Sequence, residues 1–203
     1  MSLMTDVDDG EFDDEFGLDL VPRRTRETFD APRAEAAVAE LLAALGYEAD
    51  DSNLAETPRR VAAVYRDLLH REKLAMTTFP NEDGYDELIL VRDIPFTSLC
   101  AHHLLPFRGV AHVGYLPTAR LLGLSKLARV VEHFSRDLQL QERLTVQIAD
   151  FLEAELSPRG VGVILEAEHL CMSIRGVRAT GAQTRTSRFT GALVANGRDL
   201  FAT

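Results

Sequence analysis

The chain has no tryptophan, only two cysteines, and a deficit of basic residues: 22 Lys and Arg stand against 32 Asp and Glu, for a net charge of -10. Each shortage excludes something. The acidic balance argues against nucleic acid as a partner, because affinity for a phosphate backbone needs a basic surface. A small anionic substrate needs only a local cluster of Arg and Lys and stays compatible with it. Two cysteines do not make a disulfide framework. No apolar run approaches the roughly 20 residues that span a bilayer, so no membrane partner is expected. The N-terminus is acidic where a secretory signal would be basic and then apolar. Together these absences predict a cytoplasmic protein. What is present, 203 residues of which 46% are apolar, suits one domain of ordinary size plus a tail.

Residues 1–30 read as the tail. Asp6, Asp8, Asp9, Glu11, Asp13, Asp14 and Glu15 crowd its start, and such a segment repels itself and buries little, which predicts disorder. Residues 31–72 read as an N-terminal helical region. Apolar residues at helical spacing predict a helix from Pro32 to Leu45 closed by Gly46, and a second from Thr57, with Thr57 as N-cap and Pro58 in the first helical position. Residues 73–203 read as a catalytic domain. Within it, 73–86 is expected as a loop, Leu88–Phe96 and Phe107–Leu116 as strands, and Ser98–Pro106 as irregular chain. Helices follow at Leu124–Asp137 and Gln141–Leu156, then strands at Val161–Met172 and Gln183–Val194. Two strands, two helices and two strands after the leading helices predict an α+β fold with an antiparallel sheet covered on one face by helices.

The cysteines carry the first chemical signal. Cys100-Ala-His-His103 places a thiol and an imidazole three residues apart, a spacing that a turn folds onto one ion. Cys171 lies two residues after His169, so on a strand the pair would share a face with Val161, Val163, Leu165 and Ala167. Each cysteine read alone is an ordinary buried thiol. Both sit beside histidines, and that coincidence predicts Cys100, His103 and Cys171 as a three-ligand zinc site. Three protein ligands leave a place for water, whereas a closed four-ligand site is structural. His102 and His169 then flank the ion and can move protons near neutral pH. His70, His112 and His133 have no such company and read as surface or core residues.

Ser125, Lys126 and Arg129 fall in the first turns of a predicted helix, whose N-terminus suits a phosphate; in isolation they are equally an ordinary solvated basic face. Arg175, Arg178, Arg185 and Arg188 form a second basic cluster after Cys171, which in an acidic chain points to a highly charged substrate such as a triphosphate. Glu142 opens the next helix. It is either a carboxylate favoured by the helix dipole or the acceptor for the N1–H and exocyclic amine of guanine, two donors that one carboxylate takes together.

From about Thr57 onward the chain resembles the type I GTP cyclohydrolases. The matching segments are Ser98-Leu-Cys-Ala-His-His-Leu-Leu-Pro-Phe, Gly123-Leu-Ser-Lys-Leu-Ala-Arg129, Gln141-Glu-Arg-Leu-Thr145 and His169-Leu-Cys-Met-Ser-Ile-Arg-Gly176. The resemblance implies a tunnelling fold, with a four-stranded antiparallel sheet packed by two long antiparallel helices. It implies a toroidal homodecamer with its sites between subunits. The implied reaction opens the purine ring of GTP at C8, releases formate and forms 7,8-dihydroneopterin triphosphate. Carried onto matching positions, zinc falls to Cys100, His103 and Cys171. His102 and His169 become the acid/base pair, with His169 protonating N7. Glu142 and Gln141 hold guanine, Ser125, Lys126, Arg129 and Arg175 hold ribose or triphosphate, and Arg60 is a further phosphate contact from a neighbouring subunit.

Two departures qualify the resemblance. Ala101 stands between Cys100 and His102 where many family members carry Glu, and the stretch from Gly181 to Arg188 is more basic than the Thr-rich run common in the family. They keep a second class of reading in view: a catalytically idle or altered-substrate paralogue that binds a guanine nucleotide or a pterin.

Overall fold

The computed structural model describes residues 29–48 and 51–201. All but the last two residues of the expected 1–30 tail lie outside the described residues. Among the described residues no helix is long and apolar enough to cross a membrane.

Two helices lead: α1 (Ala31–Ala44) and α2 (Thr57–Leu69). Asp30 caps α1, its carboxylate accepting the N–H of Arg33, and Gly46 at φ +86° turns the chain after its last turn. In α2 the sequence expectation shifts by one residue. Thr57 is the first helical residue, and Glu56 occupies the cap without a side-chain capping bond.

The remainder builds β1 (Thr78–Pro80), β2 (Ile89–Cys100), β3 (Pro106–Leu116), β4 (Arg120–Leu122), α3 (Leu124–Ser135), β5 (Leu138–Gln139), α4 (Gln141–Leu156), β6 (Gly160–His169), the short α5 (Leu170–Ser173), β7 (Thr184–Phe189), a 3-10 turn at Gly191–Leu193 and α6 (Gly197–Leu200). The main sheet runs β5-β2-β3-β6-β7, and β1 pairs with β4 in a separate ribbon. Four of the five strands are antiparallel neighbours. The fifth, β5, pairs parallel with β2, so the sheet is mixed.

One sheet face makes the core. Ala111, Val113 and Tyr115 of β3 and Val161, Val163, Leu165 and Ala167 of β6 are fully buried. So are Leu127, Val130 and Val131 of α3 and Leu144, Ile148 and Leu152 of α4. Each large side chain among them contributes about 1.5–3 kcal/mol by leaving water. A smaller cluster of Ile164, Leu193 and Phe201 covers part of the other face.

Three expectations need correction. The segment 73–86 is not all loop, because β1 forms there on β4. Strand β2 continues to Cys100, through a stretch that reads as irregular. Neighbours on both sides hold it: Leu99 pairs with Pro106 and with Leu138, and Cys100 with Gln139. Ser98, polar enough to mislead, is buried with its hydroxyl donating to the Asp137 carbonyl at 3.3 Å. The strand expected to reach Met172 stops at His169, where the chain winds into the helical turn α5, with Ile174 N–H donating to Leu170 O at 3.1 Å.

Candidate metal centre

The end of β2 and the start of β3 are joined by a tight turn. Cys100 N–H donates to Leu105 O at 2.9 Å, while Cys100 O accepts from His103 N–H at 3.3 Å and Leu104 N–H at 2.9 Å. The turn needs a left-handed residue, and Leu104 supplies it at φ +55°, an uncommon conformation for a non-glycine. Tyr65 of α2 buttresses it, its hydroxyl donating to Leu104 O at 3.2 Å. Ala101 N–H donates to Gln139 O at 3.0 Å, tying the turn to β5. This geometry brings Cys100 Sγ within 3.6 Å of His103 Nδ1.

Cys171 arrives from the other side on α5. The alternation argument that placed it beside His169 on a strand fails, because the strand has ended. The helical turn carries its sulfur to the same place. The donor atoms of Cys100, His103 and Cys171 all lie within 4.8 Å of one another, the one such His/Cys/Asp/Glu group among the described residues. Both thiols are free.

The cluster fits a metal on its own chemistry. A tetrahedral zinc with ordinary Zn–S and Zn–N bonds sets a sulfur-to-nitrogen edge of about 3.6 Å, and Cys100 and His103 show that separation. Burial pushes the Cys171 thiol above its usual pKa, and the charge of Cys100 adds to the effect, while Arg175 opposes it. A thiolate at Cys100 disfavours ionisation of Cys171, and a bound cation would relieve that.

His169, the last residue of β6, sits half-buried beside this cluster. Its ring stacks on Phe107 at 4.5 Å with planes 2° apart. Its Nε2 lies 2.7 Å from Gln141 Oε1. Burial pushes its pKa down, and the carboxylate of Glu142 acts in the opposite direction. Glu142 therefore stands close enough to His169 to feel its charge, on the exposed start of α4. His102 is exposed in the turn, its ring edge-on to His103 at 6.2 Å.

The other expected residues are placed as follows. Ser125 and Arg129 are exposed on α3, and Lys126 donates to Ala75 O at 2.6 Å. The α3 N-terminus has Gly123 at its cap and no side-chain capping bond. Arg175 is exposed just past α5, and Arg60 is exposed on α2. Gln141 is buried, with its amide directed at the protein's own groups. Two members of the basic cluster after Cys171, Arg185 and Arg188, do not gather. Arg185 approaches Glu166 of β6 at 3.4 Å, whereas Arg188 approaches Asp150 of α4 at 3.8 Å. Three residues apart on a strand, they face opposite sides of the sheet. Of the remaining histidines, His112 is buried and accepts the Asp93 N–H, and His133 contacts Glu72 O at 3.0 Å.

Phe107, Gln139, Thr145 and Thr186 were not singled out by sequence reasoning. Phe107 had a usable signal, since it ends the segment Cys100–Phe107 and opens a strand. Gln139 had none, because its contribution is a backbone carbonyl.

The family model described as GTP cyclohydrolase I matches residues 34–200. The GTP cyclohydrolase 1 of Streptomyces griseus is 53% identical over 170 residues, covering 81% of this chain and 85% of that protein. The chain belongs to the GTP cyclohydrolase I family. Two further GTP cyclohydrolase 1 relatives agree: that of Mycobacterium marinum is 51% identical over 172 residues, covering 82% of this chain and 85% of its own. That of Brucella suis is 50% identical over 165 residues, covering 79% and 78%. The span matched to the GTP cyclohydrolase I family contains both thiols, His102, His103, His169, Glu142, Arg60, Lys126, Arg129, Arg175, Arg178, Arg185 and Arg188.

Proposed function

We propose that the protein hydrolyses GTP at C8 of the purine, releasing formate and forming 7,8-dihydroneopterin triphosphate, with zinc held by Cys100, His103 and Cys171. The observation that carries this reading is the convergence of two thiols and an imidazole within 4.8 Å, beside a half-buried histidine, in a chain of this family. Two sulfur donors favour zinc over harder divalent ions. When bound, zinc supplies Lewis acidity that makes water a nucleophile near neutral pH.

The protein's own residues do the rest. Glu142 accepts the N1–H and the exocyclic amine of guanine, which fixes the purine and rejects adenine, whose N1 is an acceptor. Ser125, Lys126, Arg129 and Arg175 hold ribose and triphosphate. Arg60 adds a phosphate contact from a neighbouring subunit of a homodecamer with the tunnelling fold. His169 gives a proton to N7, which leaves C8 electron-poor and open to attack by water. His102 handles the proton transfers that follow as the ring opens and formate departs. Exposed apolar side chains, Leu124, Ile174, Val177 and Val194 among them, support burial between subunits. Light scattering that returned a single chain mass would refute the decamer.

The test of activity is direct. The metal-loaded protein is incubated with GTP, and formate and the fluorescent oxidised pterin are quantified. Equal formation of both is expected, and a chelator should abolish it. GTP binding without formate would identify an idle nucleotide-binding paralogue instead, the reading that Ala101 keeps open.

A further inference from the structure

Gln141 is buried, 1% exposed, at the first position of α4. Its side-chain amide has a settled orientation. Nε2 lies 3.1 Å from Leu165 O and 2.9 Å from Thr184 O. Both partners are backbone carbonyls, which only accept, so the amide nitrogen must face them. A third contact, 3.1 Å to Thr186 Oγ1, belongs to a directed ring. Thr145 donates its single hydroxyl proton to Gln141 O at 2.8 Å. Thr145 and Thr186 hydroxyls are 2.7 Å apart, so Thr186 donates to Thr145, and its oxygen shares the two amide protons of Gln141 with the Leu165 and Thr184 carbonyls.

With its nitrogen committed, Gln141 presents Oε1 to His169 Nε2 at 2.7 Å. An amide oxygen is purely an acceptor, so Nε2 of His169 must carry the proton in that bond. Phe107, stacked parallel at 4.5 Å, holds the ring plane in which the bond is made.

We infer that Gln141 is a positioning residue that fixes the proton of His169 on Nε2, leaving Nδ1 as the one nitrogen through which this histidine exchanges protons with the purine. The inference rests on the proposed role of His169 as proton donor, and it reassigns Gln141 from holding guanine to holding the histidine. Proton delivery to N7 then leaves from Nδ1–H of the doubly protonated ring, and Nδ1 is the lone-pair site of the neutral ring. The Nε2–H stays with Gln141 throughout. A histidine kept in one tautomer returns to the same catalytic form after each transfer.

The test uses the full-length, metal-loaded protein with 15N-labelled histidine. Long-range 1H–15N spectra of the neutral His169 ring, without GTP, should show a protonated Nε2 and a pyridine-like Nδ1. The opposite assignment overturns the inference, whether or not the protein turns over GTP. In kinetics, Gln141→Met should lower kcat roughly 100-fold with KM changed less than about 3-fold. Thr186→Val removes one support of the amide while both carbonyls remain, and should cost less than about 3-fold. A raised KM with unchanged kcat in Gln141→Met would mark Gln141 as a guanine contact and overturn the inference. If Gln141→Met does not fold, the spectrum of the parent protein still decides.

Discussion

At the scale of single residues, the metal cluster depends on charge. Cys171 is partly buried, its thiol pushed up by burial and by Cys100. Without a cation the Cys171 thiol resists ionisation, and a bound metal would reverse that balance. Cys171→Ser should therefore weaken zinc affinity by more than about 100-fold, measured by competition with a chromogenic chelator. Retention of stoichiometric zinc in the variant would show that the ligand set is wrong. Glu142 makes a different test. Glu142→Gln keeps the shape but replaces one acceptor oxygen by an amide that meets a guanine donor head-on. A loss of about 100-fold in kcat/KM for GTP is expected, with zinc content unchanged. The residue types and spacings of Cys100, His103, Cys171 and Glu142 were legible because their chemistry is local. The target of the Gln141 amide was not, since its partners Leu165, Thr184 and Thr186 lie 24, 43 and 45 residues away.

At the scale of elements, the site exists because strand ends converge. β2 delivers Cys100, β6 delivers His169, and β3 between them delivers Phe107, which pairs with His169 in register. Gly109 lets β3 lie against β6. A Cβ there would fall 1.8 Å from Glu166 O and 2.6 Å from Ala167 Cα, both backbone atoms that cannot swing aside. Gly109→Ala should destabilise the protein by about 3 kcal/mol and slacken the Phe107–His169 stack. Denaturant unfolding checks the first, and a Gly109→Ala protein as stable as the parent would contradict the register. Periodicity located α3, α4, β3 and β6 closely, because a buried stripe or an alternating face announces itself. It failed at element ends. The extension of β2 to Cys100 came from pairing on both edges, and the winding of α5 from the turn that follows His169. The separation of Arg185 from Arg188 follows from the two-residue period of a strand.

At the scale of the whole molecule, the packing of α3 and α4 on the sheet buries a polar anchor. Tyr115 is fully buried, and its hydroxyl oxygen accepts the Leu122 N–H at 2.7 Å. Burial raises its pKa above the ordinary value near 10, with the Leu122 bond acting against that. The folded state thus holds the phenol proton more tightly than the unfolded chain. This contribution is fully present below the unfolded value, and it is lost as pH rises from about 10 through the higher folded value. Thermal unfolding should show a midpoint that falls above pH 10, and falls less steeply in Tyr115→Phe. At neutral pH that variant should be less stable by about 1–3 kcal/mol, because it leaves a buried N–H unpaired. Identical alkaline limbs in both proteins would remove Tyr115 from the account.

The sequence by itself determined which thiols and imidazole gather, the family, the α+β class and which helix and strand faces turn inward, since each follows from residue type, spacing or period. Tertiary structure alone decided the parallel fifth strand, the helical turn that aims Cys171, and the amide that meets His169. These depend on pairings between segments far apart in the chain. A residue's neighbours in sequence constrain its backbone, but the partner of its side chain is set by whichever distant strand packs against it.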